Sequence, residues 1–271
     1  MAKGITQQAA QAGAAQSFGA SAKVTRRAAE RLRAGHLWIY RSDIERLTPT
    51  DGTAEIAPGA LVTVLDGRGL PLGTALYSSA SQICLRLVSE QAGLTRAAYL
   101  AAVRERVAAA LALRAELAPD SAENNSSRLL FSEADGLPGI VADRYHELVV
   151  LQLLTQGTAQ DDVRAVLREV LSAQLWIATI VERPDPRIRE LEELAPAPAE
   201  PLFVRDAGTA NTATIFTING LNFNFDASAG QKTGAFLDQR LNYAAAARYA
   251  RGRERTGRRK RRKSDRTRAS R

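Results

Sequence analysis

Residues 251–271, RGRERTGRRKRRKSDRTRASR, contain no Val, Ile, Leu, Phe, Met, Trp or Tyr. A buried strand or helix needs such residues, so any hydrophobic core must come from the preceding 250 residues. This segment carries twelve Lys/Arg and two Asp/Glu, a net charge of +10 in a chain whose total is +8. The preceding residues have 25 basic and 27 acidic groups, a balance of −2. A nucleic-acid interface there must therefore be a local basic patch.

The remaining composition is that of a globular protein. At 271 residues and 45% apolar content, the chain can form two compact domains or one large one. The chain has a single cysteine, Cys84, which excludes a disulfide within the chain and a zinc site built from several of its cysteines. We expect Cys84 to be a small, buried hydrophobic residue on a strand. Residues 1–21 lack the pattern of a signal peptide and are expected to be a disordered leader. Without an apolar run of membrane-spanning length, we expect a cytoplasmic protein with no membrane partner.

Residues 22–92 are expected to form a small β-rich domain. Short apolar runs such as ALVTVLD and SQICLRLVSE alternate with polar residues and are separated by Gly, Pro and Asp turns. A basic stretch leads into them. Its cationic residues are Lys23, Arg26, Arg27, Arg31, Arg33 and Arg41. They form either a contact surface for a polyanion or a solvated helix face, and the sequence alone supports both interpretations.

Residues 93–225 are expected to form an α+β domain. Thr95 is a predicted cap for a helix over 96–117, whose apolar face includes Leu100, Val103, Val107, Leu111 and Leu117, and which ends before Pro119. Two strands around an Asp135-Gly136 turn follow, then a helix, a strand and a hairpin. Asn219-Gly220 predicts a type I′ turn in that hairpin.

Residues 226–250 begin with DASAGQKTGAFLDQRLNY, a Gly-bracketed turn followed by an Ala-rich helix. Backbone N–H groups of such a turn, together with Lys232 and Thr233, can bind a carboxylate or phosphate near a helix start. Asp238 and Arg240 lie one turn further on. The alternative is a capped helix with an Asp–Arg surface pair, which contributes little energy.

Three stretches, GHLWIYRSDI, SEADGLPGIVADRYHELVVLQLL and GQKTGAFLDQR, occur in this order in the chain. Together they resemble bacterial S-adenosylmethionine-dependent 23S rRNA large-subunit methyltransferases, the type that makes 5-methylcytosine and has an N-terminal PUA domain. The resemblance covers residues 22–250. It implies an α+β fold: a PUA-like β domain at 22–92, an α+β middle domain at 93–225, and the start of a Rossmann-like methyltransferase domain at 226–250.

The resemblance also implies ligands. It favours RNA contact by the basic stretch from Lys23 to Arg41 and makes ribosomal RNA the expected partner. It places S-adenosylmethionine near the Gly-rich turn. The expected cofactor-binding residues are Gln231, Lys232, Thr233, Asp238 and Arg240. No catalytic residue is expected within the chain.

Other polar residues have simpler explanations. His36 and His146 lack a third ligand at metal spacing, so no metal site is expected. Asp135 is explained by its turn, and Asp143-Arg144 is expected to be a local ion pair. Trp38 and Tyr40 either stack on bases or, because they alternate with Leu37 and Ile39, belong to the core.

In the resembling family, a Gly-rich cofactor loop and a catalytic cysteine follow the FLDQR motif, whereas here RERTGRRKRRKSD follows. We therefore expect a chain without the methyltransferase core, and we interpret residues 251–271 as a basic disordered tail that arose by a reading-frame shift. A natural RNA-binding tail is the alternative, and the downstream nucleotide sequence distinguishes the two. Two functions stay open: an rRNA methyltransferase by descent that is inactive in this form, or a non-catalytic RNA-binding module.

Overall fold

The computed structural model describes residues 19–183, 185–206, 210–229 and 234–250. The predicted tail at 251–271 and nearly all of the predicted leader at 1–21 lie outside the described residues, as do Gln231, Lys232 and Thr233. Contacts divide the chain into two compact units. Unit 1 comprises Met1–Ala101, Thr155–Gly157 and Leu191–Glu193; unit 2 comprises Ala102–Leu154, Thr158–Glu190 and Leu194–Arg271. The finer boundaries at 92 and 225 stay a prediction.

Unit 1 is built on one mixed sheet. Its strands are β1 (Ser21–Val24), β2 (Trp38–Tyr40), β3 (Ile44–Thr48), β4 (Leu61–Leu65), β5 (Pro71–Tyr77) and β6 (Ile83–Ser89). They lie in the order β2-β6-β5-β4-β1-β3. Neighbours are antiparallel except β1 and β4, which are parallel. The predicted β-rich N-terminal domain is therefore confirmed.

Helix α1 (Arg26–Arg33) packs its small side chains into the core of this sheet. Ala28, Ala29 and Leu32 are buried together with Val24, Ile39 and other strand residues. The Thr25 hydroxyl accepts a hydrogen bond from the Ala28 N–H at 3.2 Å and caps the helix. Cys84 on β6 is fully buried, as predicted, and burial raises the pKa of its thiol.

A buried polar network joins the two later segments of unit 1 to its sheet. The Glu192 carboxylate accepts hydrogen bonds from the Ser78 hydroxyl at 2.7 Å and from Arg86 Nη2 at 3.0 Å. Gln156 Nε2 donates to the Glu192 carbonyl at 2.9 Å, while its Oε1 accepts from the Ser79 N–H at 2.8 Å. A buried ion pair needs such additional hydrogen bonds to offset desolvation.

Helix α2 (Arg96–Leu117) has the predicted bounds, and Thr95 Oγ1 accepts from the Ala98 N–H at 3.2 Å. Val103, Val107 and Leu111 are buried as the periodicity predicts, whereas Leu117 is 71% exposed. Leu117 is the last residue of the helix, as predicted. None of the helices among the described residues is both long and apolar enough to span a lipid bilayer.

Unit 2 contains a second sheet in the order β11-β10-β9-β8-β7. Its strands are β7 (Ser126–Phe131), β8 (Ile140–Tyr145), β9 (Leu148–Leu153), β10 (Thr179–Glu182) and β11 (Phe203–Val204). Strands β9 and β10 are parallel and are connected by helix α3 (Asp161–Gln174); the other neighbours are antiparallel. A short helix, α4 (Pro186–Leu191), follows β10. The α+β class is as predicted, but three strands precede α3 where two were predicted, because the chain turns once more at His146, between β8 and β9.

A hairpin of β12 (Ala213–Ile218) and β13 (Leu221–Asp226) packs against one face of this sheet. Asn219 and Gly220 have φ values of +53° and +75° between the paired residues Ile218 and Leu221, which confirms the predicted type I′ turn. Tyr145 lies at the centre of the contact: its ring centroid is 4.1 Å from that of Phe225 and 5.0 Å from that of Phe216.

Residues 234–240, which we name the strap, follow the hairpin and lie over the same aromatic cluster. Gly234 has φ +126°, and a Cβ atom there would lie 2.4 Å from Phe225 Cε2 and 2.8 Å from the Tyr145 hydroxyl. Tyr145 Oη donates to the Ala235 carbonyl at 3.4 Å, and Asn219 Nδ2 donates to the Arg240 carbonyl at 3.0 Å. The strap is thus fixed at both ends. Residues 240–250 continue it as a helix.

The network around Glu192 predicts a strong stability effect. Glu192→Gln leaves the buried Arg86 guanidinium without its counter-charge, so we expect the free energy of unfolding to fall by about 3 kcal/mol. Urea denaturation followed by circular dichroism measures it. Glu193→Gln, at the exposed neighbouring position, is the control and should leave stability within about 0.5 kcal/mol of the parent. Equal effects of the two substitutions would contradict the network's role.

Gly234→Ala should release the strap, because the added methyl group meets a Phe225 ring that is itself held against Tyr145. We expect a loss of about 2 kcal/mol and faster hydrogen exchange of the amides from 235 to 240. Gly220→Ala is the matched control, since its φ is also positive but nothing lies within 4 Å of its added Cβ. Unchanged exchange in the strap of Gly234→Ala would contradict the account.

Candidate functional site

An open cavity of about 630 Å³ lies between the strap and the second sheet. The strap supplies Phe236, Asp238 and Arg240 to the lining, and the end of α2 supplies Arg114. A row of directly paired residues across three strands also lines the cavity: Phe131 on β7, Val141 on β8 and Gln152 on β9. Paired residues project from the same face of a sheet, so these three side chains form a continuous floor.

Two bidentate ion pairs stand beside this floor. Arg128 donates from Nε and Nη2 to the Asp143 carboxylate at 2.8 and 2.9 Å. Arg114 donates from Nη1 and Nη2 to the Asp135 carboxylate at 2.7 and 2.8 Å. Hydrogen bonding to Asp143 raises the pKa of the Arg128 guanidinium, so its charge is fixed at all physiological pH values. Both arginines are therefore oriented before any ligand arrives.

These ion pairs correct one prediction. Asp143 pairs with Arg128, not with Arg144, whose partner is Asp120 at 2.7 Å. The expected Asp143–Arg144 pair is wrong because successive residues of a strand point to opposite faces of the sheet. The carboxylate of Asp135 also does more than form a turn, since it binds Arg114 as well as the Phe131 N–H at 2.6 Å.

Gln152 is a polar residue in an otherwise apolar buried strand. Its side chain is 8% exposed, and its Nε2 has no hydrogen-bond partner among the described residues. Buried amides are nearly always hydrogen-bonded, so an unpaired one beside a cavity is a candidate for ligand contact. Gln152 was not among the residues predicted from the sequence, although it is the single polar residue within LVVLQLL and could have been recognised by that.

Of the predicted cofactor-binding residues, Asp238 and Arg240 line the cavity together. Asp238 is exposed and Arg240 is half-buried. Gln231, Lys232 and Thr233 lie outside the described residues, so their role stays a prediction. Among the described residues, no three His, Cys, Asp or Glu side chains are grouped as metal ligands.

The predicted RNA-contact residues all belong to unit 1, and most have intramolecular partners. Lys23 lies 3.9 Å from Glu45, Arg26 lies 2.8 Å from Glu30, and Arg31 is paired with Asp43. Arg33 Nη2 lies 2.6 Å from Asp66, and this hydrogen bond lowers the pKa of the Asp66 carboxyl group. Arg41 donates to the Ser81 carbonyl at 3.2 Å.

Arg27 has no ion pair in the described part of the chain and is exposed on α1. Trp38 and Tyr40 are 37% and 41% exposed on the edge strand β2, with Ile39 buried between them. Two interpretations of Trp38 and Tyr40 were open, namely stacking on bases and burial in the core. On β2 it is Ile39 that is buried in the core. Trp38 and Tyr40 remain accessible beside Arg41.

Comparison with known proteins agrees with this architecture. Residues 22–90 match the family model of a PUA-like domain. Ribosomal RNA large subunit methyltransferase I of Alteromonas mediterranea is 34% identical over 221 residues, covering 81% of this chain and 51% of that protein. Ribosomal RNA large subunit methyltransferase of Deinococcus radiodurans is 33% identical over 224 residues, covering 81% and 52%. The chain thus spans about half the length of these curated relatives.

Solved structures share the fold. A Streptococcus mutans protein assigned as a SAM-dependent methyltransferase superposes with a TM-score of 0.59 at 19% identity, over 81% of this chain and 52% of its own. A methyltransferase structure complexed with SAH gives a TM-score of 0.60 at 19% identity, over 81% and 51%. The α+β fold with an N-terminal PUA-like domain is confirmed, and the chain is homologous to about half the length of the large-subunit ribosomal RNA methyltransferases.

Proposed function

We propose that this chain is the RNA-recognition and cofactor-strap portion of an S-adenosylmethionine-dependent methyltransferase acting on cytosine C5 of 23S rRNA in the cytoplasm. The observation that carries the proposal is the homology to ribosomal RNA large subunit methyltransferases, which extends over 81% of the chain. Support comes from the PUA-like domain at 22–90 and from a strap that places two charged side chains on a cavity.

Unit 1 supplies the RNA surface in this proposal. Arg27 is exposed, Arg26 is paired with Glu30 of its own helix, and Trp38 and Tyr40 present aromatic surface on an edge strand. Lys23, Arg31 and Arg33 lie next to carboxylates, so their charges are largely compensated. RNA contact therefore depends mainly on Arg26, Arg27 and the aromatic pair. These residues recognise the RNA through its phosphates and its shape, and not through the edges of its bases.

The strap supplies one end of the cofactor site. S-adenosylmethionine carries an α-carboxylate and an α-ammonium group on its methionine part, and Arg240 and Asp238 are matched in charge to them. Both side chains line the same cavity. When bound, the cofactor supplies an electrophilic methyl group; the residues of the strap bind and orient it.

Cytosine C5 methylation needs a nucleophile that adds to C6. Cys84 is not suited to this role: it is fully buried in the core of unit 1, and burial raises the pKa of its thiol. A reactive cysteine has the opposite properties, namely exposure and a lowered pKa. Among the described residues, the arrangement therefore supports binding and positioning, and we assign no catalytic residue.

The second candidate is a non-catalytic RNA-binding module. The observation in its favour is the net charge of +10 on the segment 251–271, because a charge of this size attracts RNA phosphates whether or not a cofactor is bound. Cofactor binding distinguishes the two functions.

Arg27→Glu should weaken binding of a structured 23S rRNA fragment, because it replaces an accessible cation by an anion at the proposed surface. We expect about a tenfold loss of affinity and a shallower dependence on salt concentration. Fluorescence anisotropy at two salt concentrations measures both. Arg168→Glu, on the exposed face of α3, is the control with the same charge change. Equal losses for the two variants would point to bulk electrostatics instead of a defined surface.

S-adenosylmethionine should bind the full chain measurably in isothermal titration calorimetry, but more weakly than it binds a complete cofactor site, because the strap supplies only one end of that site. Asp238→Asn and Arg240→Gln should each weaken this binding about tenfold. Asp206→Asn, a carboxylate removal outside the cavity lining, is the control. Absence of any cofactor binding, with RNA binding retained, would favour the non-catalytic module.

A further inference from the structure

The cavity beneath the strap has features that a cofactor strap alone does not require. Its floor is the row Phe131, Val141 and Gln152, which runs across three strands. An aromatic ring, an aliphatic side chain and an amide thus lie side by side on one surface. A flat, partly apolar floor that ends in a hydrogen-bonding group matches a planar heterocycle with polar edges.

Gln152 supplies the second observation. Its side chain is more than nine-tenths buried, it lines the cavity, and its Nε2 has no partner among the described residues. The Nε2 atom is covered by neighbouring protein atoms, so a rotation about the last side-chain torsion is needed to present the amide to a ligand. That torsion is soft. A glutamine amide offers a donor and an acceptor together, the pair that reads the edge of a nucleobase.

Charge around the cavity argues for a neutral ligand group. Arg114 is neutralised by Asp135, and Arg128 by Asp143, in each case through two hydrogen bonds. Arg240 and Asp238 contribute one further charge of each sign. Of the three carboxylates only Asp238 lines the cavity, whereas Asp135 and Asp143 lie behind the lining and compensate Arg114 and Arg128 from there. The charges of the three arginines are thus balanced, which favours a ligand group without a net negative charge.

Two aromatic rings provide stacking surfaces. Phe131 is 51% exposed and Phe236 is 63% exposed, although both line the cavity. The Arg128 guanidinium carbon lies 5.2 Å from the centroid of the Phe131 ring. Unpaired bases in RNA complexes stack on such rings and on guanidinium planes. A volume of about 630 Å³ accommodates one nucleotide.

We propose that the floor of this cavity takes one unpaired nucleobase of the bound RNA, stacked between Phe131 and Phe236 and read at its edge by the Gln152 amide, next to the end at which Asp238 and Arg240 hold the cofactor in the proposed function. The inference rests on the proposed function, because unit 1 and the basic segment must bring RNA to the site. In the proposed function, unit 1 contacts the RNA through phosphates and through its shape. The inference adds a specific contact in unit 2, which is made to a base.

The test compares two RNA hairpins that differ at one position. One carries a single bulged nucleotide and the other an abasic bulge, so the number of phosphates is identical and binding by residues 251–271 contributes equally to both. Each of the four bases is tried in turn. We expect the full chain to bind at least one base-containing bulge about tenfold more tightly than the abasic hairpin.

Two variants with matched controls assign the preference to the cavity. Gln152→Met keeps the side-chain volume and removes the amide. Thr179→Val removes another buried polar group of this sheet that has no hydrogen-bond partner among the described residues, and it lies outside the cavity lining. Phe236→Leu removes a stacking ring; Tyr249→Leu removes an exposed ring that does not line the cavity. Gln152→Met and Phe236→Leu should abolish the preference for the base, and both controls should retain it.

Stability separates a binding role from a structural one. Gln152→Met removes a buried donor that lacks a partner, so the variant should unfold at the same or a higher denaturant concentration than the parent chain. Loss of the base preference in a protein of equal or greater stability supports the proposal. A destabilised Gln152→Met would show that the amide serves the fold, and would overturn it.

Further outcomes are decisive. Equal affinity for the base-containing and abasic hairpins, with Arg27→Glu still weakening both, would overturn the base cavity and leave the proposed function standing. Loss of S-adenosylmethionine binding in Gln152→Met, without a change in base preference, would show that the amide reads the cofactor instead. If neither hairpin binds above the background of residues 251–271, the proposed function fails and this inference fails with it.

Discussion

The contact of Gly234 with Tyr145 and Phe225 is the interaction on which the candidate site depends. Gly234 has no side chain, and its backbone lies so close to both rings that a methyl group would overlap the Phe225 ring. This close approach brings the strap onto the face of the sheet. Phe236, Asp238 and Arg240 reach the cavity only because the strap starts from this point and is held at its other end by Asn219.

The same sheet face has two chemical characters. Towards the hairpin it is apolar, with Tyr145, Leu148 and Val150 packed against Phe216 and Phe225. Towards the start of β8 and the end of β9 it becomes polar, with Gln152 on β9 and with Asp143 on β8 bound to Arg128 of β7. The hairpin covers the apolar part and stabilises it; the polar part is left for the strap and for ligands. A fixed site therefore lies beside a well-packed core, which keeps its side chains oriented.

Local features of this chain could be predicted from the sequence, whereas contacts between distant residues could not. The bounds of α2, the Asn219-Gly220 turn and the burial of Cys84 follow from short patterns of apolar, capping and turn residues. The partner of Asp143 depends on which strand lies next to β8, and no local pattern specifies that. The cavity floor could not be predicted for the same reason, because Phe131, Val141 and Gln152 are brought together only by the register of three neighbouring strands.

The central claim is that RNA contacts both the PUA-like domain and the cavity beneath the strap. Photo-crosslinking with a 23S rRNA fragment that carries 4-thiouridine at its unpaired positions, followed by mass spectrometry of the crosslinked peptides, tests it most directly. RNA bound at both places should give crosslinks to peptides containing Phe131 or Phe236, together with crosslinks near Trp38 or Tyr40. Crosslinks confined to residues 251–271 would contradict it, because RNA would then be bound by the basic segment alone.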